Sequence, residues 1–463
     1  MQPVESYLKH LHEIRSTGGA VPETSYYPAL SNLLDEVGRL LEPHVRCVSQ
    51  VINTGAGSPD FGLYTTVQFQ MPKDTEPLPG QLPERGVVEV KAVSDDSWVT
   101  AGGKQVSKYW GRYGQVLVTN YRDFVLIGQD ENSNPVKLET FRIADDKKSF
   151  WDKCVHHKKT AGEIGERLVE YLRRVMMSAV RLKAPEDVAW FLASYAREAR
   201  GRIEAVANLP GLTALRAALE NSLGLQFEGK EGEHFFRATL VQTLFYGVFS
   251  AWVLWARGQG QKEGRFDWRT AAWGLHVPMI GSLFEQIATP HKLKPLGLDE
   301  LLDWTGGVLN RVETGSFFNI FEQEHAVQYF YEPFLKAYDP ELRKQLGVWY
   351  TPREIVKYQV ARVDRVLREE LKLAEGLADP SVYVLDPCCG TGAYLVETLK
   401  KASEILKAKG GALVAQKLKK MATERVFGFE LLPAPFVVSH LQLGLLLSAS
   451  GAPLQVPSVR QFI

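Results

Sequence analysis

A multidomain α/β protein is the fold class this sequence predicts, on three observations. At 463 residues the chain exceeds what one hydrophobic core usually serves, so two or three domains are expected. The first 150 residues mix helical and alternating apolar periods, whereas helical patterns dominate from about 160 to 340. Near the C-terminus, VYVLDPCCGTGAYLVETL at 382–399 reads as strand, glycine turn and helix, the opening of an α/β unit. These shifts divide the chain into 1–150, 151–340 and 341–463.

The elements follow in order. YPALSNLLDEVGRLLEPHV carries a helical stripe of Leu30, Leu33, Leu34, Val37, Leu40 and Leu41. LYTTVQFQM alternates as a strand, and PKDTEPLPGQLPERG reads as an exposed connection. VVEVKAV returns as a strand, and QVLVTNYRDFVLIG supplies two more around a turn at Asn120 and Tyr121. Thr160 and Glu163 have capping-box spacing and open the next amphipathic helix, followed by PEDVAWFLASYAREARGRIEAV. The uncharged run 238–256 is long enough for a marginal membrane span, but Gln242, Ser250 and flanking arginines fit a buried helix better. REIVKYQVARVDRVLREELKLAEG is a further helix before the α/β unit, and VFGFELLPAPFVVSHLQLGLLL is the next strand and helix.

Composition narrows the class only slightly. The 54 basic and 54 acidic residues cancel, which argues against a surface coated in positive charge but not against a basic cleft. Four cysteines show neither a disulfide framework nor zinc-ligand spacing. The start MQPVESYLKHLHEIRS lacks the apolar core of a signal peptide, so a cytoplasmic protein is expected.

Two constellations carry chemistry. On the strand GVVEVKA, Glu89 and Lys91 project to one face because the period is two. With Asp60 of GSPDFG they offer what phosphodiester hydrolysis needs. Asp60, Glu89 and the Val90 carbonyl would hold a hard divalent ion, while Lys91 orients or activates the attacking water. Such a triplet also arises as solvated edge charge. Against that, the flanking valines look internal, and Gln105 and Tyr109 stand four apart on one helix face. The set resembles the PD-(D/E)xK nuclease core, in the version whose following helix carries Gln and Tyr. The resemblance implies Mg2+ or Mn2+, double-stranded DNA, and a further glutamate from the first helix, with Glu23 the closest match and Glu36 second.

In VLDPCCGTGAYL, Asp386 ends a strand, Pro387 follows, and Gly390 and Gly392 let the backbone approach a ligand closely. Neither a Walker lysine nor the dinucleotide glycine spacing is present. Together with LGVWYTPREIVKYQV, this stretch resembles S-adenosylmethionine-dependent adenine-N6 DNA methyltransferases. The resemblance implies the first half of a Rossmann-like sheet. Asp386 would take the cofactor's amino-acid end and Glu430 its ribose, with Tyr350, Thr351 and Pro352 closing over the methionine part. Cys388 and Cys389 are expected to be packing residues. No Asn/Asp-Pro-Pro-Tyr/Phe motif occurs, so these residues are expected to be part of a longer enzyme and not to methylate adenine alone.

A nuclease domain, a helical connector and a partial methyltransferase in one chain resemble single-polypeptide restriction-modification enzymes. The likeness is to the translocating class, but without its helicase signature, so a type II-like enzyme is expected. Its partners would be DNA and, during cleavage, a second copy or other defence subunits, with no membrane. Two other readings stay open. One is the methyltransferase component of a multi-protein phage-defence system with an inactive or regulatory nuclease. The other is a non-catalytic DNA-binding assembly subunit.

Overall fold

In the computed structural model of the protein, the description covers all residues except 1, 20, 22, 50, 52, 54, 72–73, 75, 130–133, 179, 206–209, 224–225, 259–263, 271–283, 285–286, 324–329, 339–350, 411–412, 431 and 453–463. The chain divides into two units, Met1–Arg181 and Leu182–Ile463.

Six strands form the sheet of the first unit, side by side in sequence order: β1 (Val45–Ser49), β2 (Phe61–Thr65), β3 (Val87–Val90), β4 (Val116–Thr119), β5 (Asp123–Gln129) and β6 (Pro135–Arg142). All neighbours are antiparallel except β3 and β4, which run parallel from Val87↔Val116 to Val90↔Thr119. A parallel pair needs a crossover, and α3 (Ser97–Ala101) and α4 (Lys104–Tyr113) provide it. Asp96 caps α3 by accepting from Trp98 N–H at 2.7 Å, and Gly114 ends α4 in the left-handed conformation that a side chain resists.

Strand alternation builds two cores. Val88 and Val90 face α1 (Pro3–Ser16), α2 (Tyr27–Gly38), α5 (Lys147–Val155) and α6 (His157–Met177) in the larger one. Val87 faces the opposite way, packing with Val106 and Tyr109 of α4. The helical stripe of α2 holds at Leu30, Leu33, Leu34 and Val37, all buried, but Leu40 is exposed. The helix stops at Gly38 because β1 crosses there: a Cβ on Gly38 would lie 2.0 Å from the Val45 carbonyl oxygen.

Two expected boundaries shift. Phe150, Trp151, Cys154, Leu168, Tyr171 and Leu172 join the larger core, so the first unit continues past residue 150 to Arg181. Thr160 is no helix cap. It lies inside α6, where its buried hydroxyl donates to the Lys153 carbonyl at 3.0 Å.

The second unit starts with helices α7 (Pro185–Ala205), α8 (Pro210–Leu223) and α9 (Gly229–Arg257), and continues through α10 (Leu298–Leu309), α11 (Thr314–Gln323) and α12 (Glu332–Tyr338). Within α9, Gly232–Arg257 is long and apolar enough to cross a membrane, yet 83% of its most apolar window is buried against the rest of the unit. Phe249, buried on α9, stacks on Phe330 and meets Phe317 and Phe321 edge-on, the packing of an interior helix. After α13 (Arg353–Glu369) come β7 (Val384–Asp386), α14 (Ala393–Ala408), α15 (Val414–Glu424), β8 (Val426–Gly428) and α16 (Pro433–Ala449). β7 and β8 pair in parallel, with Asp386 opposite Gly428.

Candidate active site and cofactor pocket

The acids of the first unit meet where β2 begins and β3 ends. Asp60 directly precedes β2, and its Oδ2 accepts from the Val90 N–H at 2.7 Å while Oδ1 accepts from the Tyr27 hydroxyl. The Lys91 N–H donates to the Thr119 carbonyl on β4, so the Val90 amide points the other way, toward β2. An extended residue's N–H and C=O share one edge, so the Val90 carbonyl also faces Asp60. Glu89 and Lys91 project to the α4 face, where Lys91 Nζ donates to Glu89 Oε1 at 2.7 Å.

Electrostatics defines the neighbourhood. Glu89 is only 5% exposed, and burial raises its pKa; Lys91 pulls it back, and the charges of Asp60 and Glu23 push it further up. Lys91 is partly desolvated, which favours loss of its proton, but the hydrogen bond and charge of Glu89, with Glu23 and Asp60, outweigh this and raise its pKa. Lys91 is therefore a cation that donates; a base would need the opposite shift. Glu23 belongs to the same group: burial raises its pKa, Lys91 lowers it, and Asp60 and Asp95 raise it. Glu36 stands nine residues past Tyr27 on α2, about 13 Å further along the axis, outside this group.

Tyr109 is buried and feels the charges of Glu89, Asp60 and Lys91, and it accepts from Gln105 Nε2 at 2.6 Å. The loop before Asp60 passes over its ring. A Cβ on Gly57 would approach the Tyr109 hydroxyl to 3.3 Å. Asn53 Oδ1 holds that loop by accepting from the N–H of Gly55 and Gly57. Thus Asp60, Glu89, Lys91, Glu23 and Tyr109 share one neighbourhood, with Gln105 joined through Tyr109.

Sequence reasoning missed two tyrosines. Tyr27 contacts Asp60 directly, and the Tyr121 hydroxyl donates to the Glu23 carbonyl. Their only sequence signals are the run SYYP beside Glu23 and the turn at Asn120 and Tyr121.

Among the described residues no cluster of three or more His, Cys, Asp or Glu forms a metal cage. The oxygen set of Asp60, Glu89 and the Val90 carbonyl nevertheless fits a hard ion that keeps several waters, as Mg2+ does.

In the second unit the loop after β7 turns through Gly390 and Gly392, at φ of +55° and +86°. Gly392 also meets α16 closely: a Cβ there would lie 2.3 Å from Ser439 Oγ. Asp386 Oδ1 accepts from the Cys388 N–H at 3.2 Å, and its buried Oδ2 has no hydrogen-bond partner among the described residues. Burial raises the Asp386 pKa, and the Cys388 amide opposes this. Glu430 lies two residues past β8, its Oε1 accepting from the Leu432 N–H at 2.7 Å. Burial pushes the Cys389 thiol up to about 12, and the charges of Asp386 and Glu430 add to it. The two acids therefore flank Cys389, whose thiol is unsuited to attack. Cys388 is exposed.

A cleft of about 680 Å3 opens along α13, β7 and α14, with Tyr358, Tyr383, Leu385, Asp386, Pro387 and Tyr394 on its walls. Gly390, Gly392 and Glu430 do not line it. Thr351 and Pro352 lead into α13, with Pro352 at its N-cap, while Tyr350 lies outside the described residues. An unpaired buried carboxylate oxygen beside an open glycine turn fits the cationic end of S-adenosylmethionine.

None of the curated proteins compared matches the chain. The solved structures similar to it include three, each with a TM-score below 0.5. DrdV in complex with DNA has 19% identity, a TM-score of 0.41, and covers 97% of this chain and 38% of its own. The ATP-dependent Type ISP restriction-modification enzyme LlaBIII bound to DNA has 16% identity and a TM-score of 0.38, covering 67% of this chain and 18% of its own. A nuclease-deletion mutant of the Type ISP restriction-modification enzyme LlaGI, with a DNA substrate mimic, has 16% identity and a TM-score of 0.37, covering 63% and 24%. The chain thus spans well under half the length of each. Residues 322–445, which include the loop after β7 and Glu430, match the family described as N-6 DNA Methylase.

Proposed function

We propose that this chain is part of a restriction-modification enzyme, joining a metal-dependent DNA endonuclease site to the cofactor pocket of an adenine-N6 methyltransferase. The observation that carries the nuclease reading is the convergence of Asp60, Glu89 and Lys91 at the end of a strand paired on both sides. Burying two carboxylates near one another is costly without a compensating cation. A site that draws on Lys91 for only part of that compensation is suited to take a divalent ion.

Asp60, Glu89 and the Val90 carbonyl would hold the ion, which when bound polarises the scissile phosphate. Lys91, kept protonated, orients the attacking water and offsets charge developing on the phosphate. Tyr109 and Gln105 border the same neighbourhood, where they can position the substrate backbone. Glu23 is the further acid of the group.

For the second site the support is the N-6 DNA Methylase match over 322–445 and the unpaired Asp386 oxygen. Asp386 would bind the amino end of S-adenosylmethionine and Glu430 its ribose hydroxyls; the cofactor when bound supplies the methyl group. Double-stranded DNA is the shared substrate of both activities. The test is cleavage of unmodified phage DNA with and without Mg2+ by the native chain and by Asp60→Asn. Metal-dependent cutting that Asp60→Asn loses supports the reading; no cutting by either, or equal cutting by both, overturns it.

A further inference from the structure

Asp60 carries a contact that the nuclease reading does not use. Both of its oxygens are engaged by rigid donors: Oδ2 by the backbone of β3, and Oδ1 by the hydroxyl of Tyr27. Tyr27 opens α2, a helix anchored through Leu30, Leu33, Leu34 and Val37 in the larger core. Its ring packs on Phe61 at 5.0 Å, the residue next to Asp60. The hydroxyl is therefore fixed from both ends, by its helix and by the strand it serves.

Resting on the nuclease reading, we infer that Tyr27 is a positioning residue that aims Asp60 and thereby sets the affinity of the site for a divalent cation. Two donors on opposite oxygens fix the plane of a carboxylate, while each oxygen keeps a further lone pair for a metal. With the hydroxyl removed, the Val90 N–H alone remains, and the carboxylate can swing about it. Such outer partners of ligands typically contribute 10–100-fold to metal affinity. A second tyrosine anchors the backbone, not the carboxylate, of the neighbouring Glu23. Tyr121 donates to the Glu23 carbonyl, and its own carbonyl accepts from Tyr7 at 2.8 Å within the core.

The experiment measures Mn2+ binding by electron paramagnetic resonance of the free ion, on the full chain without DNA. Tyr27→Phe keeps the ring against Phe61 and should weaken Mn2+ binding about tenfold, with high Mn2+ restoring cleavage. Unchanged Mn2+ affinity in folded Tyr27→Phe overturns the inference. Should that variant not fold, Phe61→Leu takes its place: it loosens the ring that holds Tyr27 and should weaken Mn2+ binding several-fold, and no change overturns the inference. Asp60→Asn separates the two claims. Native Mn2+ affinity and cleavage in Asp60→Asn sink the nuclease reading itself, whereas a dead Asp60→Asn beside an unaltered Tyr27→Phe sinks only the role of Tyr27.

Discussion

The acids of the first unit and the loop after β7 both lie where a strand ends against helices, yet they are organised in opposite ways. β3 is hydrogen-bonded on both sides, by β2 and β4; Asp60 is held by the backbone of β3 and by Tyr27, and Glu89 by an ion pair with Lys91. Among the described residues β7 is paired only with β8; Tyr383, Leu385, Phe427 and Phe429 are exposed, and Asp386 Oδ2 stands without a partner. On the function proposed above, the difference follows from what each arrangement would hold. Neighbouring carboxylates repel and have to be braced before any cation arrives. A single acid meant for a cationic ligand is best left to that ligand, since a preformed internal bond would have to be broken first.

The sharpest way to break this contrast is at Lys91. Lys91→Ala should lower Mg2+-dependent cleavage by about a thousandfold, because a fixed cation beside the developing charge is lost. The fold, followed by circular dichroism, should persist. Cutting at the native rate would mean that the braced acids are only a structural ion pair.

Next in size is a test of how firmly the open region is backed. His440 is buried on α16, next to the Ser439 that meets Gly392, and burial pushes its pKa down to about 4. An unfolded histidine binds its proton near 6.5, so the unfolded chain takes up this proton first as pH falls. Stability attributable to His440 is therefore intact above about pH 6.5 and declines as pH falls, by roughly 3 kcal/mol below both values. His440→Gln cannot titrate and should flatten that slope in thermal unfolding between pH 4 and 7. An unaltered slope would show α16 to be loosely packed, and the second region open on both sides.

The smallest effect is expected at the orphan carboxylate. Asp386→Ala should weaken S-adenosylmethionine binding about tenfold by calorimetry. Binding that ignores Asp386 would overturn its assignment to the amino end of the cofactor.

Local signals were legible in the sequence and long-range ones were not. Alternation put Glu89 and Lys91 on one face, and the turn at Asn120 and Tyr121 lies between β4 and β5 as read. The strand, glycine turn and helix at 384–408 were also legible, since all depend on periods of two or 3.6 and on glycine. The end of α2 at Gly38 was not, because it is set by β1 crossing seven residues later. Nor was the contact of Tyr27 with Asp60, which spans 33 residues and leaves no pattern in either segment. Thr160 misled for the same reason: a capping-box spacing is local, and the packing of α6 onto the larger core overrode it.

The bond from Asp60 to the Val90 amide has a consequence in isotope exchange. β2 and β3 pair last at Phe61 and Val88, so the amide of Val90 has left the ladder with β2. A backbone proton in mid-sheet is thus shielded from solvent deuterium by a side chain, and by the side chain proposed to bind metal. Its exchange rate follows the posture of Asp60 rather than the opening of the sheet, and so turns one backbone position into a built-in gauge of whether the acid is in place.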